Sequence, residues 1–256
     1  MTGPVLRPLS MGEILDVSFG MYRALFPPLL MVTLVTQGLP LVLSVYVQSA
    51  GGLITQPLLY LLSIILSVVL SALAQAASTF VISENYMGRR ISAQEAFQRS
   101  VPFIGRLIGL ALLTGFVCGL GFVLLIIPGC ILISGLILAS PALVIENIAN
   151  STDAMGRSWA LTRGHRLKIF GCLFVTFLLV FIPVLALGGF AAVTANPDMA
   201  TPGASPMSIF WLTLASALQV LIYPLVYCVL TVAYYDLRVR KEAFDLEVLA
   251  QTLQTA

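Results

Sequence analysis

Charge is what this sequence has least of. Of 256 residues, 9% are Asp, Glu, Lys or Arg, against 59% hydrophobic, and mean hydropathy is +1.02. A soluble domain carries about 25% charged residues, so a soluble fold is excluded. Histidine is nearly absent. His165 is the only one, which rules out a histidine-based metal cluster, and no acid and nucleophile are evidently placed around it for a triad. The chain holds no GxGxxG, no P-loop and no HExxH, so the common nucleotide and zinc-protease templates are missing. The four cysteines, Cys118, Cys130, Cys172 and Cys228, form no CxxC pair; all fall in apolar runs and read as small buried residues. Carboxylates are missing from the interior of those runs, which argues against an ion-coupled pump with a midplane acid. No catalytic residue, metal or cofactor is expected, and the chain reads as non-enzymatic.

Long apolar runs are what it has in excess. Six lie at roughly 26–48, 57–83, 103–127, 129–146, 167–194 and 207–235. About 20 such residues suffice to cross a bilayer core of about 30 Å. The first run follows an amphipathic segment with two acids and shows no small-residue cleavage pattern, so it reads as a span and not as a signal peptide. The thirteen Lys and Arg residues are unevenly placed. They precede span one, fill the connections between spans two and three and between spans four and five, and follow span six; the other three connections hold none. The positive-inside rule then puts both termini in the cytoplasm. These cations are too few, and lack the aromatic interleaving, for nucleic-acid binding.

A shared plan recurs at Ser10, Ser92 and Asn150. Three residues after each comes an acid, Glu13, Glu95 or Asp153, the signature of a capped helix start. Positions four and five on are apolar, and position eight is Ser18, Ser100 or Ser158. The predicted fold is all-α: a polytopic membrane protein of six transmembrane helices in three repeats of amphipathic interfacial helix plus helical hairpin. It forms one membrane domain over 1–256, with units at about 10–83, 92–146 and 150–236 and an amphipathic tail at 237–256. In that tail Phe244, Val248, Leu249 and Leu253 share a helical face. The longest outer connection holds Asp198 and reads as a loop. Pro40 is expected to kink span one or end it early, and Ile127-Pro128-Gly129 to form a tight outer turn. Gly105, Gly109, Gly115 and Gly119 are expected to favour close helix packing.

Three features carry candidate function. Span two presents a polar row at a spacing of four: Ser63, Ser67, Ser71, Gln75, Thr79, Ser83. The row is either a packing seam or the lining of a cavity. In the second case Gln37, Ser67, Ser71, Gln75 and Gln219 enclose a polar space between repeats. Each even span stops at an acid, Glu84, Glu146 or Asp236, which either anchors the helix at the interface or pairs with a cation of a neighbouring unit; Glu84 is the deepest. The third surface segment carries Arg157, Arg163, Arg166 and Lys168, placed to hold a lipid phosphate, although the ordinary positive-inside bias also accounts for them.

The segments RPLSMGEILDVSFGMYR, PALVIEN, ALTRGHRLKIFG and AYYDLRVRKE resemble the membrane domain associated with glycerophosphoryl diester phosphodiesterases and the YciC-like inner-membrane proteins of bacteria. The resemblance covers essentially the whole chain. It implies a multi-pass protein of the bacterial cytoplasmic membrane with a link to lipids or the envelope. It implies no catalytic residue, because the phosphodiesterase's paired histidines and metal-binding acids have no counterpart here. The expected function is therefore lipid or envelope binding and organisation, with membrane lipids as partners. The alternative is a permease for a lipid-like or small amphipathic solute. Neither a protein partner nor an oligomeric state can be read from the sequence.

Overall fold

The computed structural model describes residues 7–194 and 205–242. Asp198 and the four apolar residues of the tail lie outside the described residues. Every described element is helical. In chain order they are α1 (Met11–Ala24), α2 (Phe26–Ser49), α3 (Gly52–Thr55), α4 (Pro57–Tyr86), α5 (Ala93–Ser100), a 3-10 turn (Val101–Phe103), α6 (Ile104–Leu124), α7 (Ile126–Leu136), α8 (Ala139–Ile145), α9 (Ser151–Thr162), α10 (Arg166–Val193) and α11 (Pro206–Glu242). Among the described residues, six helical runs are long and apolar enough to cross a membrane: Phe26–Ser49, Pro57–Tyr86, Ala93–Leu124, Ile126–Ile145, Arg166–Val193 and Pro206–Glu242. The chain is a multi-pass membrane protein. The predicted spans hold, with adjusted ends.

Caps set the starts of the short helices. Ser10 accepts from the Glu13 amide while Glu13 returns a bond to the Ser10 amide, a complete capping box for α1. Ser92 caps α5 through the Glu95 amide. At α9 the expected cap differs: the Asn150 side chain bonds the Asp153 carboxylate instead of a backbone amide. The three short helices bury equivalent positions. Ile14, Ala96 and Ala154 are fully enclosed, and so are Ser18, Ser100 and Ser158. Ser18 and Ser100 return their hydroxyls to their own helices, at Ile14 O and Ala96 O, whereas Ser158 donates across to Gly135 O at 2.7 Å.

Two expectations are corrected, and one, that Pro40 kinks span one or ends it, loses its second alternative. The α6–α7 break falls at Leu125, which is extended (φ −165°, ψ 151°), so Ile127-Pro128-Gly129 lies inside the first turns of α7. Proline needs no N–H donor there. Helix α2 does not end at Pro40 but continues to Ser49. The glycines that bring helices together are not those of the small-residue pairs. A Cβ on Gly105, Gly115 or Gly119 would meet nothing within 4 Å, and one on Gly109 only Ser151. A Cβ on Gly121 would instead meet the Gly129 Cα at 3.2 Å, so α6 and α7 touch backbone to backbone beside their turn.

Helix α4 packs on α2, α6 on α7, and α10 on α11, giving three hairpins. Helices α1, α5 and α9 and the cation-bearing helix ends all lie at one end of the bundle. The buried clusters gather at that end too. One joins α1, α4, α8, α9, α10 and α11 around Tyr234 and Leu237, a second joins α2, α4, α5 and α11 around Ile82, and a third joins α4, α6, α8 and α9 around Leu143. Clefts open between the hairpins along the spans.

Candidate functional site

At the cationic end, each acid that closes an even span holds partners. Glu84, at the end of α4, receives Arg89 and Arg99, each at 3.0 Å. Glu146, after α8, receives Arg157 through both carboxylate oxygens at 2.8 Å and the Tyr234 hydroxyl at 2.5 Å. Arg99 and Arg157 stand seven residues after Ser92 and Asn150, so two surface helices present a cation at the same register to the acid of the preceding hairpin. Arg157 also pairs with Glu242, whose carboxylate, ahead of Glu146, pushes the guanidinium above its ordinary pKa. The third position breaks the register, because the corresponding residue of α1 is Val17. Asp236 recruits Lys168 at 2.5 Å, Arg240 at 3.1 Å and the Leu9 amide at 2.7 Å, with its carboxylate wholly enclosed. Lys168 and Arg240 also donate to Leu9 O. The start of the described chain is thus clamped between α10 and α11.

These pairings settle where the four candidate headgroup residues stand. Arg157 is committed to Glu146 and Glu242, and Lys168 to Asp236. They do not form one cradle with the other two. Arg163 and Arg166 occupy the α9–α10 corner, where Gly164 (φ +88°) takes the left-handed turn that glycine favours. Residues Arg163 to Lys168 border a shallow groove there. Arg166 stacks on the indole of Trp159, with its guanidinium carbon 3.6 Å from the ring centroid. Beside them Leu167 is 87% exposed. Cations, an indole and an open leucine at one corner suit the boundary between headgroups and acyl chains. His165 is half-buried at the same corner, its Nδ1 enclosed with no hydrogen-bond partner among the described residues. Glu84 is not part of this corner.

The candidate cavity residues divide. Gln37, Ser67, Ser71 and Gln219 line one groove of about 330 Å³ between α2, α4 and α11. Gln75 leaves the row and donates to Ser140 at 2.9 Å, in a separate pocket of about 300 Å³ beside α6 and α8. Helix geometry explains the split. Four residues advance about 400°, so a spacing of four drifts by about 40° per step around the helix. From Ser67 to Gln75 the row has moved off the groove. Elsewhere the row serves packing: Ser63 and Thr79 bond their own helix, and Ser83 meets the Tyr235 hydroxyl at 2.6 Å.

Most hydroxyls of the groove return to backbone: Ser44 to Leu41 O, Ser67 to Ser63 O, Ser71 to Val68 O and Ser216 to Leu212 O. The Gln37 and Gln219 amides have no hydrogen-bond partner among the described residues. An unsatisfied amide in hydrocarbon costs several kcal/mol. Pro40 lines the groove with Gln37, and Pro224 follows Gln219 by five residues in α11; proline frees the carbonyl four residues earlier. In α11, Tyr22 reaches a backbone carbonyl near the proline, donating to Leu221 O at 2.9 Å.

Sequence reasoning missed a second cleft, of about 580 Å³, between α10, α11, α6 and α7. Phe170, Phe174, Phe177 and Phe181 line it. Their spacing, four, three and four residues, is a helical face and was the available signal. Gln219 and Tyr223 line both this cleft and the polar groove. Also missed were Tyr234 and Glu242, whose partners lie far away in sequence. Among the described residues, no three His, Cys, Asp or Glu side chains stand close enough to hold a metal ion.

Comparison with curated proteins and with solved structures finds no match. One family matches residues 91–237, more than half of the chain, from just before α5 into the cationic end of α11. On that match the chain belongs to the family described as Domain of unknown function (DUF7847).

Proposed function

We propose that the protein is a non-enzymatic component of the bacterial cytoplasmic membrane, with both termini cytoplasmic, that binds and organises lipid. The observation that carries this reading is the α9–α10 corner. Arg163 faces out with no partner among the described residues, Arg166 lies flat on Trp159, and Leu167 projects beside them. A cation near an anionic leaflet gains on the order of 1 kcal/mol, and a guanidinium forks onto a phosphate. Among the described residues the other cations of the rim have protein partners, Arg23 through the Phe19 ring alone, and this corner brings two cations, an indole and an exposed leucine together. The resemblance to the membrane domain of glycerophosphoryl diester phosphodiesterases supports the same link to lipids. The matching registers of Glu84–Arg99 and Glu146–Arg157, with the three buried serines, support a plan of three repeated units.

Native mass spectrometry of the protein extracted with its own lipids tests the reading, wild type beside Arg163→Ala/Arg166→Ala. Retained anionic phospholipid that the double variant loses is the expected result. Equal retention in both reduces the corner to a topology signal. A second reading, passage of a small amphipathic solute, is favoured by one observation: Ser67 and Ser71 face a groove at the middle of the spans, and not a neighbouring helix.

A further inference from the structure

The groove and the phenylalanine-lined cleft share Gln219 and Tyr223 on α11. We infer that together they form one binding site for an amphipathic molecule with an uncharged, hydrogen-bonding head and an apolar chain. The site is distinct from the α9–α10 corner and does not depend on it.

Charge defines the head. Among the described residues, no acidic, basic or histidine side chain lines either space. A charged group brought here would lose its hydration and find no counter-ion. The groove offers two glutamine amides without partners and a phenol hydroxyl, each able both to donate and to accept. Their depth matters as well. Gln37 stands eleven residues from the start of α2, about 17 Å at 1.5 Å per residue, and so near the middle of the span. A phospholipid in the bilayer keeps its headgroup at the surface and cannot satisfy amides at that depth. A chain lipid carrying a glycerol-like or hydroxyl head can, once the head leaves the interface.

Shape and surface define the chain. The cleft holds about 580 Å³, within the roughly 300–1,000 Å³ usual for ligand sites. Two stacked phenylalanine pairs of α10 form its wall, Phe170 with Phe174 and Phe177 with Phe181. The wall is open, since Phe174 and Phe177 are each about half exposed, so a chain can enter sideways from the membrane.

The test uses the full chain in phosphatidylcholine nanodiscs and two photoactivatable probes with the same diazirine-bearing chain. One is a monoacylglycerol, uncharged; the other is an alkyl trimethylammonium, permanently charged. The monoacylglycerol should label α10 and α11 peptides. Gln37→Leu/Gln219→Leu should reduce that labelling by about tenfold, as expected for losing the polar contacts. The trimethylammonium probe should give only background in both proteins. Those leucines add apolar surface in a membrane, and a matching melting curve for the variant establishes that it is folded. If it does not match, Gln37→Asn/Gln219→Asn replaces it, with shortened amides and the same expected direction. Arg163→Ala/Arg166→Ala should label like wild type, which separates this site from the surface one. Equal labelling by both probes, or equal labelling of wild type and glutamine variant by the monoacylglycerol, overturns the inference.

Discussion

Asp236 shows no carboxylate surface to solvent, yet Lys168 and Arg240 approach it from two sides and the Leu9 amide closes it. Removing one partner of such a cluster leaves charge behind without compensation. Asp236→Ala should therefore cost about 3–5 kcal/mol, read as a lower unfolding midpoint in detergent. Asp236→Asn, which still accepts from Leu9, should cost less. Gly135 makes a second residue-scale case. A Cβ there would overlap the Trp159 ring, and Trp159 is also the platform under Arg166. Gly135→Ala should cost about 1–3 kcal/mol as overpacking. In a Trp211→Phe background it should also shift the emission of Trp159. An unchanged spectrum would mean that the indole has room to move without leaving its place.

At the scale of elements, the start of α1 is the most accessible test. The Arg7 side chain, followed by the Ser10 backbone and hydroxyl, holds Glu13 down to a pKa of about 2, from an ordinary value near 4.5. Because the folded value is lowered, its contribution is present above about 4.5 and disappears as pH falls from there toward 2. The group is exposed, so the effect is small and weakened by salt. A carboxyl-resolved NMR titration should show Glu13 titrating near 2, and Arg7→Ala should move it back up. The acid–arginine links between hairpins differ in strength. Glu146–Arg157 uses both carboxylate oxygens and is about three-quarters enclosed, while Arg99 is 44% exposed. Double-mutant cycles should give a coupling below about 1 kcal/mol for Glu84–Arg99 and a larger one for Glu146–Arg157. The reverse order would contradict the geometry.

These elements also show what could be read from sequence. The capping acids at Glu13 and Glu95, the buried Ser18, Ser100 and Ser158, and the acids ending the even spans are local signals, and local patterns persist in the fold. Which arginine meets which acid depends on how hairpins dock, and no spacing within a helix encodes it. The same holds for Gln75, whose alignment with Ser71 in sequence conceals a rotation around α4. The aromatic cleft is lined from α6, α7, α10 and α11 together, a relation between elements far apart in the chain. Gly121 and Gly129 were harder to find than the regular GxxxG pairs, because their close approach depends on where the α6–α7 turn falls.

For the whole molecule, one asymmetry organises the rest. All thirteen cations, the surface helices and the buried clusters lie at one end, while the polar groove and the phenylalanine cleft open farther along the spans. The proposed lipid contact at Arg163 and Arg166 requires the cationic end to face the anionic cytoplasmic leaflet. Labelling of single cysteines by a membrane-impermeant maleimide tests that most directly. In a background with Cys118, Cys130, Cys172 and Cys228 replaced by alanine, Ser49→Cys marks the far end and Gln98→Cys the cationic end; both side chains are exposed. In intact bacterial spheroplasts Ser49→Cys should label at once, and Gln98→Cys only after permeabilisation. The opposite pattern would put the cations outside and contradict the account.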